Sequence, residues 1–323
     1  ERGVQITAPQ QWLQLLTSIG INQVRIRGIQ ADDEPRATND GTAQLPNYHV
    51  VGILTSHDQL RLPGGTFTRG ERAKLKDFFE RLSADGAQSL TAPRGQFGLT
   101  EAELTAVFTD LSKPIDFETK GLPPRAALNR LQTKLSLKLE IDPTAEPPLR
   151  DAKPIEDEVK GLSAGTGLAM LMRNYGLVVR PVKERGQAVT YRIANADAET
   201  LAQSTLGNAT SPDPKQKNWP IGWDPDKPPG EIAPSLRESL NAEIDGYSLA
   251  EALAAIGPRL KMPLFLDHAA LAAHKIDPAR TQLKLARARM TYKRLLDRVL
   301  VQAHLGDSLR ADENGTLFLW VTR

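Results

Sequence analysis

The sequence contains an internal duplication at the scale of a domain. Residues 116–193 and 243–322 share one order and spacing of apolar side chains. In the first copy these are Leu122, Leu128, Leu131, Leu135, Leu137, Leu139 and Ile141, and in the second Tyr247, Leu253, Ile256, Leu260, Met262, Leu264 and Leu266. Each pair is 125 residues apart, as Leu128 and Leu253 are. A repeat of this size predicts two modules of similar fold and favours a function that resides in surfaces.

A second set of matches extends the duplication to the closing half of each copy. Ser163 and Thr291 are predicted helix caps, and the apolar helix faces that follow them are 128 residues apart. The faces consist of Leu168, Leu171, Met172 and Tyr175 in the first copy and of Leu296, Val299, Leu300 and Ala303 in the second. In the second copy, Asn314-Gly315 predicts a two-residue hairpin turn before a strand at residues 317–321.

Each copy is predicted to fold as strand, helix and strand, followed by strand, helix and hairpin. In the first copy the predicted strands include residues 115–118 and 156–160, and a helix is predicted to begin at Pro123 or Pro124. Proline is tolerated there because the first turn of a helix has no use for its N–H. Near Ser136 the leucine spacing changes from three and four residues to alternation, which predicts that the helix ends there.

The first 111 residues form a predicted α/β domain with a sandwich-like arrangement. Strands are predicted at residues 4–7 and 23–29, and a hairpin at residues 48–62. Two capping boxes predict helix starts, namely Thr68 with Glu71 and Thr100 with Glu103. The helix that follows Thr100 is expected to close this domain.

A proline-rich linker is predicted at residues 195–235. Its seven prolines disfavour regular strand pairing and favour an extended, stiff chain. Trp219 and Trp223 lie within it, although large aromatic side chains are unusual in a solvated linker. The favoured interpretation is that they attach the linker to a neighbouring domain. The alternative is an exposed pair that binds a partner.

The two copies resemble the secretin and TonB short N-terminal domain. The segments that carry the resemblance are GLPPRAAL (121–128), LSLKLEID (135–142), VKGLSAGTGL (159–168), GYSLAEAL (246–253) and MTYKRLL (290–296). In that family the module is a small α+β domain, with two helices against short sheets, that docks other proteins on the periplasmic side of the outer membrane. No secretin pore or transducer plug follows the second copy in this sequence, so the resemblance implies docking modules alone.

The predicted fold class is therefore α+β. An N-terminal α/β domain (1–111) is followed by two small two-layer modules that resemble secretin N-terminal domains (112–194 and 236–323), with the linker between them. A chain of 323 residues with 40% hydrophobic content is long enough for several such cores.

Composition excludes several kinds of partner and chemistry. The 41 basic and 39 acidic side chains give a net charge of +2, so no strong global field attracts nucleic acid or an anionic membrane. The chain has no cysteine, which removes disulfides, thiolate nucleophiles and cysteine-ligated metals. No apolar run reaches the roughly 20 residues of a transmembrane helix. Because the sequence begins at Glu1 without methionine, we expect a processed protein.

Only one local group of histidines and carboxylates stands out. Asp267, His268, His274 and Asp277 follow a predicted strand of the second copy and could act as metal ligands or as acid and base. The first copy has only Asp142 at the matching place, so surface and helix-capping roles are favoured. We expect no catalytic residue, metal or cofactor, with a hydrolase or metal-dependent enzyme that uses this group as the alternative.

Gly161, Gly165 and Gly167 stand near a predicted helix start. Their spacing does not fit the phosphate-binding pattern Gly-x-x-x-x-Gly-Lys-Ser/Thr. We expect small residues at these positions to allow close packing.

The second copy also has a basic stretch at residues 284–298. Its candidate binding residues are Lys284, Arg287, Arg289, Lys293 and Arg294. Small α+β folds bind nucleic acid, but neither a Gly-x-x-Gly clamp nor an aromatic sheet motif accompanies this stretch. Nucleic-acid binding is therefore an alternative, and a solvated face or a docking surface for an acidic partner is favoured.

Together these patterns predict a non-enzymatic protein of the bacterial envelope, periplasmic or otherwise exported. It is expected to act by docking a protein partner or by self-association, in a secretion system or an outer-membrane assembly. Exposed sheet edges in small modules suit such docking by strand addition.

Overall fold

The chain has an α+β fold that divides into two compact units. The computed structural model describes residues 7–30, 33–42, 45–87, 90, 95–184, 186–197 and 218–323. The first unit contains the described residues before Gly95 and those in the turn at 183–188, and the second unit contains the others. Apart from that turn, both copies of the duplicated sequence lie in the second unit.

In its described residues, the first unit combines the helices α1 and α2 with two small antiparallel sheets. Its elements are α1 (Ala8–Ser18), β1 (Arg36–Asn39), β2 (Tyr48–Val51), β3 (Ile53–Leu54), β4 (Gln59–Leu62), β5 (Gly65–Thr68) and α2 (Arg72–Asp85). β1 pairs with β2, and the second sheet has the order β3-β4-β5. The hairpin predicted at residues 48–62 is confirmed for Ile53–Leu54 with Gln59–Leu62, whereas Tyr48–Val51 pairs with β1 instead. The capping box of Thr68 and Glu71 is confirmed. Trp12 is buried in the core, and its Nε1 donates to Oδ1 of Asp58 at 2.9 Å.

The strand predicted at residues 23–29 is wrong. This segment has no regular secondary structure, and Ile26 and Ile29 are exposed rather than packed in a core. Arg27 donates two hydrogen bonds to the carboxylate of Asp33, at 2.7 and 2.6 Å, and the same carboxylate accepts the N–H of Gln30, so local side-chain bonds fix this segment. The strand predicted at residues 4–7 lies outside the described residues except for its last position.

α3 (Glu101–Leu111) begins the regular structure of the second unit. Its predicted capping box is confirmed, since Thr100 N–H donates to Glu103 at 2.9 Å and Glu103 N–H donates to the Thr100 hydroxyl at 3.4 Å. The sequence assigns this helix to the N-terminal domain. In the structure its buried Val107 and Leu111 belong to the core of the second unit.

Asp110 on α3 ties this helix to the first repeat. Its carboxylate accepts the N–H groups of Ser136 and Leu137, at 2.7 and 3.0 Å, and the hydroxyl of Tyr191 at 3.0 Å. Lys113 donates to it at 2.6 Å. Burial opposes ionisation, but these donors outweigh it and lower the pKa of Asp110.

The two repeats follow α3 in the chain. The first contains α4 (Pro124–Lys134), β6 (Leu139–Ile141), α5 (Glu146–Arg150), α6 (Ala164–Arg173), β7 (Leu177–Lys183) and β8 (Val189–Asn195). The linker contributes α7 (Pro229–Ile232). The second repeat contains β9 (Ser239–Ser248), α8 (Leu249–Ile256), β10 (Leu264–Leu266), α9 (His268–Ala273), β11 (Gln282–Thr291), α10 (Tyr292–Gln302), β12 (Gly306–Ala311) and β13 (Leu317–Thr322).

The duplication of sequence is accompanied by a duplication of topology. The sheet of the first repeat has the order β6-β8-β7, with β6 parallel to β8. The sheet of the second has the order β10-β13-β12, with β10 parallel to β13. In each case the strand after the first helix inserts beside the last strand of the repeat. The apolar pairs 125 and 128 residues apart therefore occupy equivalent elements.

The strands predicted at residues 115–118 and 156–160 are wrong, although their counterparts β9 and β11 form a long antiparallel pair. In the first repeat only an isolated bridge and a few backbone bonds join these segments. The carboxylate of Glu158 accepts the N–H groups of Thr119 and Lys120, so a side chain occupies positions that a ladder would use.

The linker covers one edge of each repeat's sheet. Trp219 N–H donates to the carbonyl of Val179 in β7 at 2.7 Å. Trp223 and Ala311 in β12 exchange two backbone bonds, at 2.7 and 2.9 Å. Pairing of this kind removes an edge that would otherwise be open to another chain.

Gly165 and Gly167 lie within α6. Their neighbours leave no room for a side chain at either position. A Cβ on Gly165 would be 2.3 Å from Oε1 of Glu313 and 3.0 Å from Cβ of Leu111. A Cβ on Gly167 would be 2.4 Å from Cδ1 of Ile115. The predicted close packing is confirmed at Gly165 and Gly167. It is wrong for Gly161, where a Cβ would meet nothing within 4 Å and the backbone has a φ of +91°.

Gly165→Ala is expected to destabilise the second unit by about 1–3 kcal/mol, because the added methyl group overpacks a buried contact. Gly306→Ala is the matched control, since a Cβ there meets nothing within 4 Å. Urea unfolding of both variants gives the two free energies. Equal stability of the two would contradict the close approach at Gly165.

Candidate functional site

A turn of the second repeat, residues 312–316, lies against the N-terminus of α6. We name it the acidic turn. Oδ2 of Asp312 accepts the N–H of Ser163 at 2.8 Å. Oε2 of Glu313 accepts the hydroxyl and the N–H of Thr166, at 2.9 and 3.3 Å. The first N–H groups of a helix have no partner within the helix and carry partial positive charge. Two carboxylates of the second repeat therefore stabilise a helix of the first.

The acidic turn differs from its prediction in length. The N–H of Asp312 donates to the carbonyl of Thr316 at 3.0 Å, so three residues form the loop instead of the predicted Asn314-Gly315 pair. Oδ1 of Asp312 accepts the N–H groups of Asn314 and Thr316, at 2.9 and 2.8 Å, and fixes this shape. Ser163 occupies the predicted cap position but makes no side-chain cap bond. Glu313 accepts the Thr166 N–H in its place.

The C-terminal end of α6 carries a buried ion pair between the repeats. Nε of Arg173 donates to both carboxylate oxygens of Asp267, at 3.0 and 2.9 Å. Asp267 is fully buried and also accepts the Thr322 hydroxyl at 2.9 Å and the Ala270 N–H at 3.1 Å. A buried carboxylate is tolerated when it is paired and hydrogen-bonded in this way. The repeats are thus joined at both ends of one helix.

A groove of about 1020 Å³ lies between the repeats beside this ion pair. From the first repeat it is lined by Lys120, Gly121, Lys153, Pro154, Ile155, Glu156 and Asp157, and from the second by Ala250, Leu253, Ala254, Gly257, Pro258, Met262, Pro263, Leu264, Leu266 and His268. Most of these side chains are apolar. Leu264 and Leu266 of β10 are part of the wall that the second repeat contributes. Concave, largely apolar sites with a few polar groups are typical of binding sites.

One end of the groove is acidic. Nε2 of His268 lies 3.4 Å from Oδ1 of Asp157, and Nδ1 lies 3.7 Å from Oε2 of Glu156. The hydrogen bond with Asp157 raises the pKa of His268 against the opposing effect of burial. Burial, followed by the charges of Glu156 and Asp157, raises the pKa of Tyr175 to about 12. The charges of Glu156 and Asp157 contribute to both shifts, although burial is the main cause for Tyr175.

The structure does not bring the predicted group of Asp267, His268, His274 and Asp277 together. Asp267 is bound to Arg173, whereas His268 points to Asp157 in the groove. His274 is exposed beside the C-terminal arginine, and Asp277 accepts a backbone N–H in its own turn. Within the described ranges, no three His, Asp or Glu side chains are placed to hold a metal ion.

The tryptophans of the linker pack onto the second unit. Trp219 is 3% exposed, stacks on Phe97 at 5.3 Å between ring centroids, and donates from Nε1 to Glu313 at 2.5 Å. Trp223 is half-buried against Phe108. This placement corresponds to the interpretation in which they attach the linker, and Trp219 is not accessible to a partner. Burial raises the pKa of Glu313, although the bonds from Trp219 and Thr166 oppose that effect.

The basic stretch is divided between β11 and α10 and is interleaved with acids. Lys293 lies 2.5 and 2.8 Å from the carboxylates of Asp297 and Asp307. In the β9–β11 register Lys284 stands opposite Asp245. The exposed side chains of the predicted set are those of Lys284, Arg287, Arg289 and Arg294. They form a mixed surface with neighbouring acids rather than a uniform basic patch.

Sequence reasoning missed the residues that join the repeats and form the groove. Arg173, Glu313, Glu156 and Asp157 carry no local motif, because their partners are distant in the chain. One usable signal was the glycine pair in α6, which indicated a close neighbour without identifying it.

Models of known protein families give no match to this chain, and a search of curated proteins gives no significant match. Among the helices that the structure describes, none has the length and apolarity needed to cross a membrane. The function is therefore inferred from the geometry of the second unit.

Arg173→Met is expected to destabilise the second unit by about 3–5 kcal/mol, because Asp267 would remain buried without its cation. Lys76→Met is the control, since Lys76 and Glu80 form an exposed pair at 3.7 Å whose loss costs at most about 1 kcal/mol. Urea unfolding measures both. If Arg173→Met lowers the free energy of unfolding no more than the control does, the buried pair does not hold the repeats together.

The pKa of His268 is expected to lie above 6.5 and to fall in Asp157→Asn, with Asp151→Asn as a control outside the groove. Because the pKa is raised in the folded state, the contribution to stability is fully present below the unfolded pKa and is lost as pH rises through the folded one. NMR titration gives the pKa, and unfolding between about pH 5 and pH 9 gives the stability. An unchanged His268 titration in Asp157→Asn would count against the bond.

Proposed function

We propose that this chain is a non-enzymatic docking protein of the bacterial envelope, and that a protein partner binds in the groove between the two repeats. The observation that carries the proposal is the groove itself, a largely apolar cleft of about 1020 Å³ to which both repeats contribute. A partner that fills it buries apolar surface, the main favourable contribution to association.

The chemistry of the lining favours binding over turnover. Covalent catalysis with a histidine needs a nearby hydroxyl or thiol nucleophile. None of the side chains that line the groove is serine, threonine or cysteine. His268 instead contacts Asp157 and Glu156, so its role is consistent with fixing the wall and its charge.

The joints at the two ends of α6 support a preformed site. The acidic turn and the Arg173–Asp267 pair hold the repeats in one arrangement, so the groove does not have to be assembled when a partner arrives. A preorganised site loses less entropy on binding. The envelope location rests on the resemblance of both copies to the secretin and TonB short N-terminal domain, whose modules dock proteins there.

Photo-crosslinking in the native cell tests this function. Ala254 lines the groove, and its neighbour Ala255 is exposed on the same helix without lining it. With a diazirine amino acid of leucine size at Ala254, which leaves more of the groove open than a longer side chain would, we expect one defined polypeptide adduct in the envelope fraction. The same group at Ala255 should give little or none.

The mass of the adduct distinguishes a second copy of this chain from another protein. Equal crosslinking at both positions, or no polypeptide adduct at Ala254, would overturn docking in the groove. Recovery of the adduct from the cytoplasm would overturn the envelope location.

A further inference from the structure

We infer that the occupant of the groove is an extended segment of another polypeptide that adds as a strand beside β10, with a basic side chain over Glu156. This inference rests on the proposed docking function and specifies the chemistry of the partner. It follows from the edge of β10, from a difference between the two repeats, and from the charge at one end of the groove.

The backbone of β10 presents a free side to the groove. The carbonyl of Pro263 and the N–H of Asp267 both bond to β13, at 2.9 and 2.8 Å. Bonding groups on one side of a strand recur at every second residue, so those of Phe265 also face β13. The N–H and C=O groups of Leu264 and Leu266 then face the opposite way. Both residues line the groove, and β10 is an edge of its sheet.

The first repeat closes the equivalent edge with a side chain that the second repeat lacks. Oε1 of Gln132 on α4 accepts the N–H of Leu139 in β6 at 2.5 Å, and its Nε2 donates to the carbonyl of Leu137 at 3.3 Å. The residue 125 positions after Gln132 is Gly257, and the same shift of 125 relates Leu139 to Leu264. Gly257 lines the groove, and a Cβ there would meet nothing within 4 Å.

The edge strand beside the groove has therefore lost the side chain that protects its counterpart. Unprotected edges are the sites at which an extended peptide pairs with a sheet, with the main-chain bonds supplying affinity and the adjacent pockets supplying specificity. The linker covers β7 and β12 in the same unit, whereas β10 borders an apolar groove. These features together favour an extended polypeptide over a compact ligand.

Charge complementarity predicts the chemical type of one residue in the partner. The Glu156 side chain is 67% exposed, and its contact with His268 is long, at 3.7 Å. A basic side chain at this end would meet the negative potential of Glu156 and Asp157. Lys120 and Lys153 also line the groove, so the preference for a basic residue applies only where the partner's side chain reaches the exposed carboxylate of Glu156.

The test uses capped seven-residue peptides of alternating valine and threonine, with one lysine at the first or the last position, titrated into the full chain. We expect one of the two to shift and protect the amides of Leu264 and Leu266 in NMR spectra. Replacing its lysine with glutamine should weaken binding several-fold in the wild-type chain. That difference should disappear in Glu156→Gln and persist in the control Glu118→Gln, whose side chain is 80% exposed away from the groove.

Gly257→Gln restores the amide of the first repeat and should weaken peptide binding at least tenfold, whereas Gly257→Ala, which cannot reach Leu264, should leave it nearly unchanged. Ala254→Arg, which narrows the groove from another position, should also block binding and guards against misfolding of Gly257→Gln. Unchanged binding in Gly257→Gln and Ala254→Arg would overturn the inference.

Other occupants give distinct results. If dodecanoate but neither peptide shifts the Leu264 and Leu266 amides, an acyl chain replaces the peptide as occupant and strand addition is overturned. If neither peptide binds while Ala254 still crosslinks to a polypeptide in the cell, strand addition is overturned and docking in the groove stands. Loss of the crosslink overturns both.

Discussion

The arrangement of the second unit depends on the acidic turn of the second repeat at the N-terminus of α6. A helix start requires acceptors for its free N–H groups, and in this chain Asp312 and Glu313 supply them across the interface between the repeats. The same helix ends in Arg173, whose partner Asp267 follows β10 directly. Because both ends of one helix are held by the second repeat, the position of β10 relative to the first repeat is fixed, and with it the width of the groove.

The repeats share a topology but differ in what their equivalent residues do. Every residue of α6 is buried, whereas Arg294, Arg298 and Val301 on α10 are exposed. Arg173, which forms the buried pair, is replaced by Val301 at the position 128 residues later. The second repeat therefore exposes on α10 a face that its counterpart α6 buries in the first repeat. Gln132 and Gly257 show the opposite trend, in which the second repeat has opened an edge that the first keeps closed.

The sequence predicts what depends on local spacing. Apolar periodicity and capping boxes located α3 and α4, and the pattern of matches anticipated the equivalence of the repeats. Predictions failed where a long-range contact decided the outcome. No ladder forms at residues 115–118, and the carboxylate of Glu158 accepts the N–H groups of Thr119 and Lys120, which follow that segment.

The groove could not be predicted because none of its parts is a motif. Its walls come from segments more than 90 residues apart, and their meeting depends on pairs such as Arg173 with Asp267. A side-chain comparison between the repeats could have identified Gly257, since the glycine stands where the pattern of the first copy has Gln132. Its meaning required the hydrogen bond that Gln132 makes to Leu139.

Residue-resolved amide hydrogen exchange on the full chain tests most directly whether the repeats form one cooperative unit. The slowest amides of β8 in the first repeat and of β13 in the second should open with the same free energy, because neither sheet can unfold without disrupting both ends of α6. Opening of β13 at a clearly lower free energy while β8 stays protected would show that the repeats are independent, and would contradict a groove fixed by their union.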